Sequence, residues 1–245
     1  MNISWSRAIA WGVLATLGGL GFAVYSGAIA VPERFNPWAP LDVKAPPNAL
    51  TGFKLAHARD DATRCLQALS QTGMQFDLVP DRVTGPGCGF ENAVRLRQAN
   101  VRFGAPLTLS CPMALSFFMW ERHALQPAAA QHFGQSVASI DHLGSYACRN
   151  INRGDGGTTA LGVRSRHATA DALDVAGLTL RGGQRITVLK DWPVPQGAEP
   201  GPAAALLRDL QRGGCSYFGG ALGPDYNAVH RDHFHFETGG FSLCR

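Results

Sequence analysis

The sequence has few charged residues and no long basic run. Only 16% of its 245 residues are Asp, Glu, Lys or Arg, the formal net charge is +4, and no cluster of Lys and Arg exceeds two neighbours. Basic clusters combined with aromatic motifs are typical of nucleic-acid-binding proteins. Because both are missing, we expect no nucleic-acid partner.

The sequence also lacks any Cys-x-x-Cys motif, which argues against a zinc finger or a thioredoxin-like site. None of its six cysteines lies in the first 64 residues. An even count of cysteines outside the cytoplasm predicts up to three disulfides, with buried free thiols as the alternative. Six cysteines allow 15 pairings. Sequential pairs close the shortest loops, so we expect Cys65–Cys88, Cys111–Cys148 and Cys215–Cys244.

Charge is missing altogether from the 24 residues Ala8–Val31. As a helix this segment would be about 36 Å long, enough to cross a bilayer. We expect a retained single-pass anchor, with Arg7 and the amino terminus on the cytoplasmic side. The alternative is a cleaved signal peptide, because Ala28-Ile29-Ala30 has the small-x-small pattern of a cleavage site. Against it, the apolar run is longer than the roughly 7–15 residues usual for such peptides.

The chain is predicted to contain three parts: an anchor or signal segment (1–31), a linker (32–48) and one domain (49–245). Five prolines between residues 32 and 47 are typical of a semi-stiff spacer. No internal repeat appears, and a 45% share of hydrophobic residues lets the remainder bury a sizeable core.

The hydrophobic pattern predicts an α+β domain, with helices concentrated early and strands late. We expect a small antiparallel sheet that carries the site described below and is packed with helices. The expected helices are Asp61–Gln71, Pro112 to about His123, Pro127–Phe133 after a break, and Ala203–Gln211, which stops at Gly213-Gly214. The expected strands are Phe76–Val79, Val137–Arg149 and a hairpin of Val175–Leu180 with Arg185–Leu189; Glu91–Gln98 is ambiguous, Ile151–Thr159 is a loop and Trp192–Pro202 is irregular.

Two short segments contain the residue types of a metal site. His167 and Asp174 would lie about 10 Å apart along a helix axis and roughly 23 Å apart on a straight strand, so they can share a metal ion only if the chain turns back. Small residues at 168, 170 and 172 permit such a turn before a strand that contains Asp174. His233 and His235 would share one face of a second strand, with phenylalanines on the other. Together His167, Asp174 and His235 form a candidate set for Zn²⁺, since catalytic zinc takes three protein ligands and keeps an open position.

These segments resemble known zinc peptidases. Ser165-x-His167-x-x-Ala170-x-Ala172-x-Asp174 resembles the Ser-x-His-x-x-Gly-x-Ala-x-Asp signature of the LAS-type group, which includes D-alanyl-D-alanine carboxypeptidases, murein endopeptidases and hedgehog-type domains. The later His-x-His motif matches as well, and the one departure is Ala170 in place of Gly. About residues 45–245 also resemble the bacterial extensin-like C-terminal domain family. The shared landmarks are the spacing of the first four cysteines, Tyr146-Ala147-Cys148-Arg149 and Gly223-Pro224-Asp225-Tyr226-Asn227 followed by His230.

The resemblance implies a zinc-dependent peptidase that cuts peptidoglycan stem peptides or cross-links outside the cytoplasmic membrane. Its location would be the inner membrane, with the domain in the periplasm, or the periplasm alone if the leader is cleaved. His233, beside His235, is the expected general base. Asp232 is the alternative, because related enzymes place a Glu at that offset. Arg149 resembles the arginine that faces the oxyanion or the substrate carboxylate.

Two further alternatives stay open at this stage. Endopeptidase activity is favoured over carboxypeptidase activity, because Asp232-His233-Phe234-His235 resembles the corresponding segment of murein endopeptidases. Hedgehog-type relatives keep the zinc cage without needing to hydrolyse anything. A non-catalytic zinc-containing module that binds the cell wall or a partner is therefore the rival hypothesis.

Overall fold

The computed structural model describes residues 5–152, 162–193, 199–239 and 242–245. It divides the chain into two units, Met1–Ala39 and Pro40–Arg245. Most of the predicted loop Ile151–Thr159 and the middle of the irregular segment Trp192–Pro202 lie outside the described residues.

The first unit contains helix α1, Trp5–Tyr25, in which no residue is buried. Its 21 residues are long and apolar enough to cross a membrane, and a signal sequence near the amino terminus has the same properties. The helix ends six residues before the end of the uncharged run, at a turn where Gly27 has a φ of 75°. Positive φ is accessible to glycine at little cost, which explains the stop.

The second unit contains the remaining α-helices and all of the described strands. The helices are α2 Thr51–Arg59, α3 Ala62–Ser70, α4 Cys111–Trp120, α5 Gln126–Phe133, α6 Val188–Asp191 and α7 Pro202–Tyr217. The strands are β1 Gln75–Val79, β2 Arg82–Gly85, β3 Cys88–Phe90, β4 Ala93–Gln98, β5 Arg102–Phe103, β6 Leu107–Ser110, β7 Val137–Gly144, β8 Ala172–Leu180, β9 Arg185–Thr187, β10 Gly220–Leu222, β11 Phe234–Glu237 and β12 Leu243–Cys244.

A seven-stranded sheet forms the centre of this unit, in the order β12-β10-β11-β8-β7-β5, with β9 paired to β8. Its inner strands are antiparallel, and the outermost pairs, β10 with β12 and β5 with β7, are parallel. The predicted α+β class is confirmed. The prediction of a small antiparallel sheet is wrong, because the sheet has seven strands and its outermost pairs are parallel. Strands of two or three residues carry too little sequence pattern to be recognised.

Two smaller sheets accompany the central one: β1-β4-β6 and the hairpin β2-β3. The ambiguous segment Glu91–Gln98 proves to be strand β4. Val137–Arg149 is a strand only as far as Gly144, and the predicted hairpin of β8 with β9 is confirmed.

Helix α4 is the buried helix that its apolar composition predicts, since nine of its residues are buried. The predicted break before Pro127 does not occur. Residues 121–125 form a π-helical turn, in which the backbone N–H of Gln126 donates to the carbonyl of Glu121. Proline cannot donate to the carbonyl four residues earlier and clashes with it in a regular helix. The wider turn removes this conflict and lets α4 continue into α5.

Helix α7 runs through Gly213 and Gly214, so the predicted stop at these glycines is wrong. Neither glycine has a positive φ. A Cβ atom on Gly213 would lie 2.5 Å from the Cβ of Ala124, and one on Gly214 would lie 2.4 Å from the ring of Phe236. The glycines therefore allow α7 to approach its neighbours closely, which local sequence does not show.

All six cysteines are paired, as Cys65–Cys111, Cys88–Cys148 and Cys215–Cys244. The expected Cys215–Cys244 bridge is confirmed, and the expected Cys65–Cys88 and Cys111–Cys148 bridges are wrong. Helices α3 and α4 pack together, which brings Cys65 and Cys111 within bonding distance. The β2-β3 hairpin lies against the segment after β7, and this packing brings Cys88 and Cys148 together. Tertiary packing, not loop length, selects the partners.

Replacing both Cys88 and Cys148 by serine should lower the free energy of unfolding by about 4 kcal/mol, because the bridge closes a loop of 60 residues and restricts the unfolded chain. Urea unfolding of the double variant at neutral pH measures this change. A loss below about 1 kcal/mol would show that the bridge adds little to stability.

Candidate metal centre

A tight turn brings His167 back towards the strand that follows it. The hydroxyl of Ser165 accepts the backbone N–H of His167 and caps a 3-10 turn at Arg166–Thr169. Ala170 then adopts left-handed backbone geometry, with a φ of 58°, and its N–H donates to the carbonyl of His167. Ala168 and Ala170 are fully buried. The predicted reversal of the chain before Asp174 is confirmed.

Strands β8 and β11 supply the other two side chains of the cluster. Asp174 and His235 are direct partners across this antiparallel pair. Phe234 and Phe236, which flank His235, are fully buried. Neighbouring residues on a strand point to opposite faces. The alternation predicted for this segment therefore separates the imidazole of His235 from the aromatic core.

His167, Asp174 and His235 converge on one point. Nδ1 of His235 lies 2.8 Å from Oδ1 of Asp174, and Nε2 of His167 lies 3.1 Å from Oδ2 of the same carboxylate. The two imidazole nitrogens lie 3.3 Å apart. One ligand atom from each residue falls within 4.8 Å of the others, and all three residues are at most 8% exposed.

The donor set and its spacing fit a metal ion. Zinc binds imidazole nitrogen and carboxylate oxygen at about 2.0–2.2 Å, which places tetrahedral ligand atoms roughly 3.4 Å apart. The separations of 2.8–3.3 Å need only a slight expansion to reach that value. A neighbouring contact also orients the imidazole of His167, because its Nδ1 lies 3.1 Å from the carbonyl of Ser145. A carbonyl only accepts, so Nδ1 carries a proton and Nε2, which faces the other two side chains, is the nitrogen that would bind a metal.

The same contacts decide the charges of the metal-free cluster. Burial raises the pKa of Asp174, but hydrogen bonds from His167 and His235 outweigh it and hold that pKa well below its usual range. Burial lowers the pKa of His235, but the carboxylates of Asp174 and Glu237 outweigh it and raise that pKa to about 9. A protonated His235 between two carboxylates therefore stabilises the cluster in the absence of a metal.

His233 and Asp232 lie beside the cluster as a hydrogen-bonded pair. Nε2 of His233 is 3.7 Å from Oδ1 of Asp174, and its Nδ1 is 2.8 Å from Oδ1 of Asp232. His233 is 8% exposed, whereas the side chain of Asp232 is 40% exposed. The structure thus places His233 next to the candidate ligands and Asp232 behind it, and their catalytic roles stay predictions.

His230 and Arg149 border the same site. The ring of His230 lies 5.3 Å from that of His233 and 5.8 Å from that of His235. Burial, followed by the neighbouring positive charges of His235 and His233, lowers the pKa of His230 to about 4. The charge of Arg149, an exposed residue, contributes in the same direction. Tyr226 packs edge-on against His230 and is 42% exposed.

Three residues of the site escaped the sequence analysis: Ser145, Asp171 and Glu237. The carbonyl of Ser145 leaves no trace in a sequence. The Asp171 carboxylate accepts hydrogen bonds from Ser110 and Thr169 and so ties the His167 turn to β6. Glu237 lies two residues after His235, so strand alternation alone could have placed it on the same face.

The family model described as "Extensin-like protein C-terminus" matches residues 63–245, three quarters of the chain. No curated protein and no solved structure matches the chain.

Removing either imidazole ligand should abolish tight metal binding. His167→Ala and His235→Ala are each expected to weaken Zn²⁺ affinity by at least about 100-fold, more than the loss of a residue that only contacts a ligand. Competition with a chromophoric chelator measures the dissociation constant. His132→Ala is the matched control, because His132 pairs with Asp209 outside the cluster. Unchanged Zn²⁺ affinity in both variants would show that His167 and His235 are not metal ligands.

The stability of the metal-free protein should fall as the pH rises. The pKa of His235, about 9 in the folded protein, lies above the ordinary 6.5, so its contribution is complete below about pH 6.5 and is lost through pH 9. The shift corresponds to a loss on the order of 3 kcal/mol between pH 6 and 9.5. Urea unfolding in chelator measures it, and His235→Gln should flatten the profile. Stability that rises over this range would contradict the charge assignment.

Proposed function

The chain belongs to the extensin-like C-terminal family, and from this premise we propose that it is a zinc-dependent peptidase of peptidoglycan. The observation that carries the proposal is the buried cluster of His167, Asp174 and His235 with the His233–Asp232 pair beside it. Ligands and a candidate proton acceptor occur together, as metal-assisted hydrolysis of a peptide bond requires.

Zinc is the metal that this donor set supports best. Two imidazoles and one carboxylate are a usual ligand combination of catalytic zinc, whereas Mg²⁺ and Ca²⁺ prefer oxygen ligands. The thiols of all six cysteines are held in disulfides, so none is free to complete the site. When bound, the metal supplies Lewis acidity, which polarises a carbonyl and lowers the pKa of water.

His233 is the residue that we assign to proton transfer. Its Nδ1 is held by the carboxylate of Asp232 at 2.8 Å, so Nε2, the nitrogen nearer the ligands, is the one that can accept a proton. It would take this proton from the attacking water and return it to the leaving amine. Asp232, the alternative base, orients His233 in this arrangement.

Arg149 is assigned to substrate binding. The residue is exposed, its charge acts on His230, and its backbone carbonyl accepts the N–H of Ser165, which fixes this segment beside the His167 turn. An arginine in this position can bind a substrate carboxylate by paired hydrogen bonds. Stem peptides carry such carboxylates, and we favour cleavage of their cross-links over trimming of their ends.

Helix α1 and the three disulfides indicate a location outside the cytoplasm, since disulfides persist in oxidising compartments. We propose that the helix anchors the protein in the inner membrane and that the domain works in the periplasm. If the helix is removed as a signal peptide, the domain would be free in the same compartment.

A specific observation favours a second candidate function, that of a non-catalytic binding module. All three candidate ligands and His233 are at most 8% exposed. A metal ion held that deeply could serve only to stabilise the fold. This candidate predicts binding to peptidoglycan without turnover.

Digestion of purified muropeptides distinguishes the two functions. The zinc-loaded protein should consume cross-linked dimers, and chelator should stop it. His233→Ala should lower the rate by about 10²–10⁴-fold, the usual contribution of general acid–base catalysis, while zinc stays bound. His132→Ala, outside the site, should retain activity. Binding without cleavage by the zinc-loaded wild type would refute the peptidase and support the module.

A further inference from the structure

Glu237 is the last residue of β11 and turns its carboxylate back towards the metal centre. Its Oε2 lies 3.0 Å from Nε2 of His235, and its side chain is 22% exposed. Residues two apart on a strand share a face, so the contact follows directly from the position of Glu237. The carboxylate belongs neither to the three candidate ligands nor to the His233–Asp232 pair.

The contact determines which nitrogen of His235 faces the other ligands. Nδ1 points at Asp174 and His167, with separations of 2.8 and 3.3 Å, while Nε2 points at Glu237. A half-turn of the imidazole about its Cβ–Cγ bond would replace Nδ1 by a carbon atom on the metal side. Any group that holds Nε2 therefore also holds the metal-binding nitrogen in place.

The neighbouring strand leaves room for this conformation of Glu237. Gly220 on β10 is the direct partner of Glu237 across the antiparallel pair. A Cβ atom on Gly220 would lie 2.6 Å from Cγ of Glu237 and 3.1 Å from its Cδ and Oε1. Gly220 does not have a positive φ, so its backbone does not require glycine. Space for the glutamate is the reason that the structure offers for glycine here.

We propose that Glu237 is a positioning residue of the metal centre, which accepts the Nε2–H of His235 and thereby presents Nδ1 to the metal ion, and that Gly220 makes this arrangement possible. His167 is oriented by the backbone carbonyl of Ser145, which no substitution removes. His235 depends on a side chain, so its orientation can be tested by mutation. The inference concerns metal binding and does not require peptidase activity.

The test is the Zn²⁺ affinity of four variants, measured without substrate by competition with a chromophoric chelator. Glu237→Ala should weaken binding by about 10–100-fold, the usual effect of removing the partner of a metal-binding histidine. Glu237→Gln keeps an oxygen that can accept the same hydrogen bond and should recover most of the loss. Gly220→Ala should weaken binding in the same direction, because its methyl group displaces Glu237.

The double variant Glu237→Ala/Gly220→Ala completes a mutant cycle. It should bind zinc no more weakly than Glu237→Ala alone, because the added methyl group then has no carboxylate to displace. Asp209→Asn is the matched control: it alters another carboxylate–histidine pair, with His132 at 2.7 Å, and should leave affinity unchanged. The absorption spectrum of bound Co²⁺ should change in Glu237→Ala and Gly220→Ala but not in the control.

Wild-type affinity in Glu237→Ala would overturn the role of Glu237. Additive losses in the double variant would overturn the role of Gly220. If Glu237→Ala does not fold, Gly220→Ala tests the same contact with the glutamate still in the chain, and wild-type affinity there would overturn the proposal. A protein that binds zinc as expected yet cleaves no muropeptide would contradict the peptidase and leave this inference standing.

Discussion

The antiparallel register of β8 against β11 is the constraint on which the metal centre depends. It makes Asp174 and His235 direct partners, and the turn at Arg166–Thr169 adds His167 from outside the sheet. Because side chains alternate along a strand, a slip of one residue would turn His235 into the core and a phenylalanine towards Asp174. The buried carboxylate of Asp174 would then lose its contact with His235, which is costly. The register that forms the site is therefore also the stable one.

The opposite face of β11 resists such a slip. Phe236 stacks on Phe218 with ring centroids 4.6 Å apart and lies 5.1 Å from the ring of Trp120. Helix α7 approaches this cluster closely because Gly214 has no side chain where the Phe236 ring lies. Full burial of an aromatic side chain contributes about 2–3 kcal/mol. The candidate ligands thus lie on a rigid element whose other face is fixed by packing, as a preorganised site requires.

Local chemistry made much of this architecture predictable. The spacing of His167 and Asp174 required a turn, and Ala170 closes that turn in a left-handed conformation. Long-range packing was not predictable in the same way. The partners of Cys65 and Cys88 depend on which elements pack together, and the glycines of α7 act through neighbours distant in sequence. Strand alternation could have placed Glu237 beside His235. The sequence does not show, however, that one imidazole nitrogen of His235 contacts Asp174 while the other contacts Glu237.

The central claim is that His167, Asp174 and His235 bind a single metal ion together. X-ray absorption spectroscopy of the zinc-loaded protein tests it most directly, because it reports the atoms bonded to the metal. We expect only nitrogen and oxygen neighbours at about 2.0–2.2 Å, with the outer-atom scattering of two imidazoles, and loss of one imidazole in His167→Ala. Sulfur neighbours at about 2.3 Å, or a spectrum that His167→Ala does not change, would contradict the account.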